Sequence, residues 1–335
     1  MTLAAIFGLS GPALTSDERA LFRSADPAGY ILFGRNCIDP AQLRALTGDL
    51  RELHGRDRLL ILVDQEGGRV ARLQPPHWPP FPPAAAFARL YDKAPMTAIE
   101  AARANAAAMG AVLAEAGITV NCAPVLDLAR DGGHAIVGDR SLGAEPMQVA
   151  ALGRAVLDGL ALSGVLGCIK HMPGHGRAGA DSHKELPVVD ADREELEEDF
   201  APFRSLAKRA AIGMVAHIVY TALDRERAAS VSPKLIADTI RGDLGFAGLL
   251  LSDDIAMDAL SGPGADRARA VVAAGCDLAL HCSGVLADME TVAAELSDMN
   301  AGASERLAQV VAAIAVPAPA ADVAALAAKR DALLA

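Results

Sequence analysis

Short apolar runs recur along the chain, and each is followed by a segment in which apolar residues return every three or four positions. The runs are Ala4–Leu9, Gly29–Phe33, Leu59–Val63, Thr119–Val125, Val165–Ile169, Gly213–Ala216, Gly248–Leu251 and Asp277–Leu280. They are near-continuous rather than alternating, as strands covered on both faces are. Thr97–Ala116 predicts a helix: Ile99, Ala102, Met109, Val112 and Leu113 share a stripe, and Gly117 is a natural stop. Pro146 suits a first helical position, with Val149, Leu152, Val156 and Leu160 following and Gly164 as the end. Leu196, Phe200 and Phe203 mark an acidic helix, and Ser232-Pro233 is a cap-plus-first-turn signal for a helix through Ile240. Eight strand–helix units predict an α/β fold, a single (β/α)8 TIM-type barrel with its active site at the carboxyl ends of the strands. A doubly wound open sheet is the alternative, weakened because no GxGxxG follows the first strand.

No linker divides the chain, so residues 1–335 read as one catalytic domain. The Pro-rich stretch Pro75–Pro83 reads as a rim loop after the third strand. Val316-Pro317-Ala318-Pro319 sets off a last Ala-rich helix, and the segment from about residue 302 to the end is expected on the barrel's outside. Composition narrows the function. Lys plus Arg number 31 against 42 Asp plus Glu, a formal net charge of −11, which argues against a nucleic-acid partner. The 52% apolar and 22% charged content excludes a disordered chain. Five cysteines without a CxxC pair suggest reduced thiols rather than a disulfide framework or zinc ribbon. The N-terminus has no basic region followed by a long apolar one, and no apolar stretch reaches the roughly 18 residues of a membrane span. A reducing cytoplasm is the expected compartment.

In a parallel barrel, catalytic groups sit where the strands end. Here those positions are unusually polar: Asp64, Asp127, Lys170-His171, His217, Ser252-Asp253-Asp254 and His281. A set on one rim points to a polar pocket rather than to isolated loop caps. The segment Lys170 to His183 holds three glycines, a proline and three histidines, which rules out a helix and implies a long loop. Three readings of it compete. It could be a solvated surface loop. It could be a metal site of His171, His175 and His183, although this is no established ligand motif and Lys170 would repel a cation. It could be an acid/base loop, in which a tight bend brings the Asp181 carboxylate to the His183 imidazole.

Five motifs carry a family likeness. They are Val63-Asp64-Gln65-Glu66-Gly67-Gly68-Arg69-Val70, Ala123-Pro124-Val125-Leu126-Asp127, Gly138-Asp139-Arg140-Ser141-Leu142-Gly143, Lys170-His171-Met172-Pro173-Gly174-His175-Gly176 with Asp181-Ser182-His183, and Leu251-Ser252-Asp253-Asp254-Ile255-Ala256-Met257. In this order the chain resembles glycoside hydrolase family 3, over roughly Phe7 to Leu280, with Met172 where a phenylalanine is usual. The resemblance is strongest to its single-domain β-N-acetylglucosaminidases of bacterial peptidoglycan recycling. It implies that Asp253 is the nucleophile, His183 the acid/base and Asp181 its partner. It also implies that Asp64, Arg72, Arg140, Lys170 and His171 hold the N-acetylglucosamine ring, with no metal or cofactor. The implied substrate is a small muropeptide fragment, N-acetylglucosaminyl-1,6-anhydro-N-acetylmuramic acid and its peptides. Cell-wall turnover, with its bearing on cell shape and division, is the implied context. The alternatives are a relative of different sugar specificity, a phosphorylase, or a non-catalytic sugar-binding sensor.

Overall fold

A computed structural model describes residues 2–130, 134–182, 184–315 and 320–335. Ten strands occur among them: β1 Leu3–Gly8, β2 Pro27–Leu32, β3 Leu60–Val63, β4 Val120–Asn121, β5 Leu166–Met172, β6 Val188–Val189, β7 Ile212–Val215, β8 Val219–Tyr220, β9 Leu249–Asp254 and β10 Leu278–His281. Eight close into a parallel barrel in the order β1-β2-β3-β4-β5-β7-β9-β10, so the predicted (β/α)8 architecture holds and the open sheet is excluded. The remaining two, β6 and β8, pair outside the barrel as a parallel ribbon with no counterpart in the predicted runs.

Strand alternation divides the apolar runs between two cores. Ile6, Ile31, Leu60, Leu62, Val120, Cys168, Met214, Leu251 and Leu280 fill the barrel, whereas Phe7, Tyr30, Ile61, Val63, Ile169, Val215 and Leu250 face the helices. Both faces are therefore apolar, which is why the runs are continuous.

The fourth run makes only two residues of strand. Pro124 has no N–H to donate, so the ladder breaks there and resumes as a single bridge between Val125 and Lys170. The segment opened by Ser232 is capped as expected, its hydroxyl accepting from Leu235 N at 3.1 Å. It winds as a π-helix, Leu235–Asp243, ending with Leu244 N donating to Thr239 O.

The helix Ala301–Ala313 closes the barrel's amino end, where Val310 and Ile314 join the inner core. Arg306 on this helix and Arg241 reach Asp277 at the start of β10, with contacts of 2.6 to 3.0 Å. The last helix, Val323–Leu334, packs against Pro95–Glu115 on the periphery. The proline-rich boundary Val316–Pro319 lies outside the described residues. No described helix is long and apolar enough to cross a membrane.

Candidate active site

The carboxyl ends of the strands surround a cavity of about 250 Å³. Its floor is the top of the barrel core, Ile31, Met214 and Leu280; its walls carry charge. The first wall begins where β3 runs out. Gln65 N donates to Asn121 Oδ1, and Gln65 Oε1 accepts from the backbone N–H groups of Arg72 and Leu73. These bonds fold residues 66–73 into a tight loop through Gly67 and Gly68, whose positive φ of 98° and 58° an L side chain rarely adopts. The fold-back returns Arg72 to Asp64, 3.1 Å from NH2 to Oδ2. Arg72 also stacks over Phe33, and its Nε is buried with no partner among the described residues.

Lys170, near the end of β5, crosses the barrel mouth. Its Nζ lies 2.8 Å from Asp64 Oδ1 and 2.7 Å from Glu66 Oε1. Arg140 grips the other side of Glu66 with two parallel bonds of 2.8 Å each. Burial alone would raise the Asp64 and Glu66 carboxyls, but the adjacent cations hold both below the usual carboxylate range. The same contacts outweigh the desolvation of Lys170 and Arg140 and hold both above their ordinary values. All four groups are therefore charged at neutral pH. The wall is a fixed alternation of charges in low dielectric, with donors already aimed at the cavity.

Asp127 organises the next segment. Its Oδ2 accepts from His171 Nδ1 at 2.7 Å, and its Oδ1 accepts from the backbone N–H groups of His171 and His175 at 3.1 and 2.7 Å. Burial opposes its ionisation, but the imidazoles and these bonds lower its pKa to about 2. With Nδ1 committed to a carboxylate, His171 presents Nε2 to the cavity.

Past β5 the chain turns tightly. A side chain at Gly176 would collide with Leu128 O at 2.2 Å, and one at Gly174 would press on Asp199. Tyr220 OH fixes Gly174 O at 2.8 Å, and Arg177 anchors to Asp199 Oδ2 at 2.5 Å. His175 Nε2 lies 3.3 Å from Ser182 Oγ. Asp181 O accepts from Lys184 N and Glu185 N. His183 itself lies outside the described residues.

On the far side, β9 delivers Asp253 and Asp254 to the cavity. Asp253 Oδ1 accepts from Asp254 N at 2.8 Å, and Ser252 Oγ donates to Asp253 O at 2.7 Å. Asp254 Oδ1 receives Ala256 N and Cys282 N, so Asp254 is tied into the rim backbone. His217 sits behind the pair, fully buried, its Nε2 donating to Asp254 O and its Nδ1 receiving Ser230 Oγ. Burial lowers its pKa, so the ring is neutral.

The structure thus gathers Asp64, Arg72, Arg140, Lys170, His171 and Asp253 around one cavity. The sequence reading passed over Glu66, took His175 only as a candidate metal ligand, and placed Asp127 only at the rim. The signal for Glu66 lay in its own motif: two residues after Asp64 it can share that residue's side of an extended segment. Four cysteines are buried and Cys37 is half-buried, all as free thiols. The contemplated metal group cannot be assembled from described residues, because it includes His183.

A closed parallel barrel with carboxylates, cations and imidazoles converging at its carboxyl rim defines the class as a TIM-barrel enzyme. The chain belongs to glycosyl hydrolase family 3: the model of that family's N-terminal domain matches residues 6–315. It is 40% identical to a β-hexosaminidase of Alkalilimnicola ehrlichii over 282 residues, 83% of this chain and 80% of that one. Native NagZ from Neisseria gonorrhoeae superimposes with a TM-score of 0.88 at 31% identity, covering 100% of this chain and 98% of that chain. A family 3 β-N-acetylglucosaminidase from Paenibacillus sp. matches with a TM-score of 0.85 at 31% identity over 95% of this chain. This chain spans 62% of that protein's length.

Proposed function

We propose that the protein is an exo-acting β-N-acetylhexosaminidase that releases N-acetylglucosamine with retention of configuration. The observation that carries the reading is the charged wall Asp64–Lys170–Glu66–Arg140, facing Asp253 across one small cavity. The similarity to β-hexosaminidases supports it, as does the NagZ of N. gonorrhoeae solved in complex with N-trifluoroacetyl-D-glucosamine. A pyranose presents hydroxyls in fixed directions. Asp64 accepts from a pair of them, while Arg72, Lys170, Arg140 and His171 supply partners for the rest. Buried polar groups of this kind discriminate strongly, because a sugar lacking the matching hydroxyl leaves them unpaired.

The chemistry is a double displacement. Asp253 attacks the anomeric carbon as the glycosidic bond breaks and becomes an ester-linked glycosyl-enzyme. His183 gives its proton to the departing oxygen, then takes one from the water that hydrolyses the ester. Asp181 orients the imidazole and stabilises its cation. Usually this pair is two carboxylates; an imidazole, with an unperturbed pKa near about 6.5, serves both half-reactions near neutral pH. The natural substrate is a muropeptide fragment, N-acetylglucosaminyl-1,6-anhydro-N-acetylmuramic acid with or without its peptide. The setting is cytoplasmic cell-wall recycling.

The test is turnover of an aryl N-acetyl-β-glucosaminide. Asp253→Asn is expected to lower kcat by at least about 10³-fold while free N-acetylglucosamine still binds. A 5-fluoro activated glycoside, which slows both steps, is expected to add its sugar mass to the peptide containing Asp253. Label on another residue would remove the nucleophile assignment, and binding without any turnover by the wild type would favour a sensor.

A further inference from the structure

Arg69 lines the mouth of the cavity but belongs to none of the contacts described above. It projects from the loop after β3 to the segment leading into Arg140, and it spends most of its donors there. Its Nε donates to Asp139 Oδ1 at 2.8 Å, and its NH2 donates to Ala135 O at 3.0 Å and Ile136 O at 2.6 Å. The Ile136 carbonyl also accepts from Arg140 NH1 at 3.1 Å. One carbonyl oxygen therefore pins two guanidinium groups. Among the described residues the Arg140 guanidinium makes three bonds: two to Glu66, and this one.

Among the described residues the segment has further bonds of its own, including Val137 N to His134 O and Ser141 Oγ to Asp127 O. His134 N reaches Ala178 O, Ile136 N reaches His134 Nδ1, and Arg140 N and Ser141 N close short turns onto Val137 O and Gly138 O. Gly138, at φ 40°, adds no side chain to hold it. Without Arg69, the Ile136 carbonyl loses its anchor to the β3 loop, and Arg140 loses the fixed acceptor that sets its tilt on Glu66.

We infer that Arg69 is a positioning residue that acts through Arg140, holding the Ile136 carbonyl so that the Arg140 guanidinium stays aimed at the bound sugar. This rests on the proposed role of Arg140 in holding the ring. The sugar is held in both ground and transition states, so the effect falls on binding rather than on the chemical step.

The test compares Arg69→Ala, Arg69→Lys, Arg140→Ala and Arg69→Ala/Arg140→Ala. The readouts are kinetics on an aryl N-acetyl-β-glucosaminide and inhibition by free N-acetylglucosamine. Arg69→Ala is expected to raise KM and the inhibition constant together, by about five- to tenfold, with kcat within about twofold. Arg69→Lys keeps a cation that can reach part of the acceptor set and should recover part of the loss. In the Arg140→Ala background, Arg69→Ala should add nothing further, because the two residues act in series. An unchanged inhibition constant in Arg69→Ala, or effects that add fully in the double variant, overturns the inference alone. An unchanged inhibition constant in Arg140→Ala overturns the sugar-binding role of Arg140 and the inference with it.

Discussion

At the amino end of the barrel Asp277 lies between Arg241 and Arg306; at the carboxyl end Asp64 and Glu66 lie among Lys170, Arg72 and Arg140. The two clusters use the same residue types at similar distances. At the amino end Asp277 and Arg241 have further protein partners: Leu250 N also donates to Asp277, and Arg241 also reaches Phe246 O and Gly248 O. The helix Ala301–Ala313 then covers the cluster, with Val310 and Ile314 completing the apolar plug. At the carboxyl end the charges line a cavity, and among the described residues no helix covers them and the buried Arg72 Nε has no partner. A cluster whose acid is fully engaged by protein partners stabilises; a cluster that lines a cavity and keeps a buried donor unspent is prepared for a ligand. The division follows the general rule for these barrels, with stability at one face and chemistry at the other.

Substitutions at the two ends separate these roles. Lys170→Met leaves Asp64 and Glu66 facing each other with one cation fewer. It is expected to cut kcat/KM by about 10²- to 10³-fold, and to lower stability by several kcal/mol because a buried charge loses its partner. Steady-state kinetics on correctly folded protein, with a melting curve beside it, reads both; activity within a few-fold of wild type would contradict the role given to the upper cluster.

Asp277→Ala strands Arg241 and Arg306 at the opposite end and is expected to cost about 3–5 kcal/mol of stability. Its kcat and KM, measured well below the melting temperature, should stay near wild type. A large kinetic defect there would break the contrast between the two faces.

The smallest expected effect is a pH dependence of stability. His175, His217 and His281 have pKa values lowered by burial, so below about pH 6.5 the unfolded chain binds protons the folded chain refuses. Stability present at neutral pH is therefore lost as the pH falls through that window. Asp64, Glu66 and Asp127, also held low, extend the loss below about pH 4. Asp254, raised by burial, acts in the opposite sense and blunts the slope. Melting temperature should fall from pH 7 to pH 5, and His217→Gln should flatten that fall; a melting temperature that rose on acidification would reverse the sign.

Much of this could be read before any coordinates. Continuous apolar runs specify strands buried on both faces, and all eight predicted strands enter the barrel because nothing else satisfies two apolar faces at once. The rim residues were legible for a related reason: a charged group at the end of an apolar strand has to face a polar cavity or water. Local motifs do not report partners distant in sequence. Glu66 meets Lys170 and Arg140 across more than seventy residues of chain, Asp127 chooses the ring nitrogen of His171, and Ile136 O couples Arg69 to Arg140. The sequence alone determined the barrel and the positions of its chemical groups, because burial periodicity and strand ends are local properties. Only the tertiary structure decided which charges neutralise one another and which are left to meet a ligand, because that depends on distances set by barrel closure.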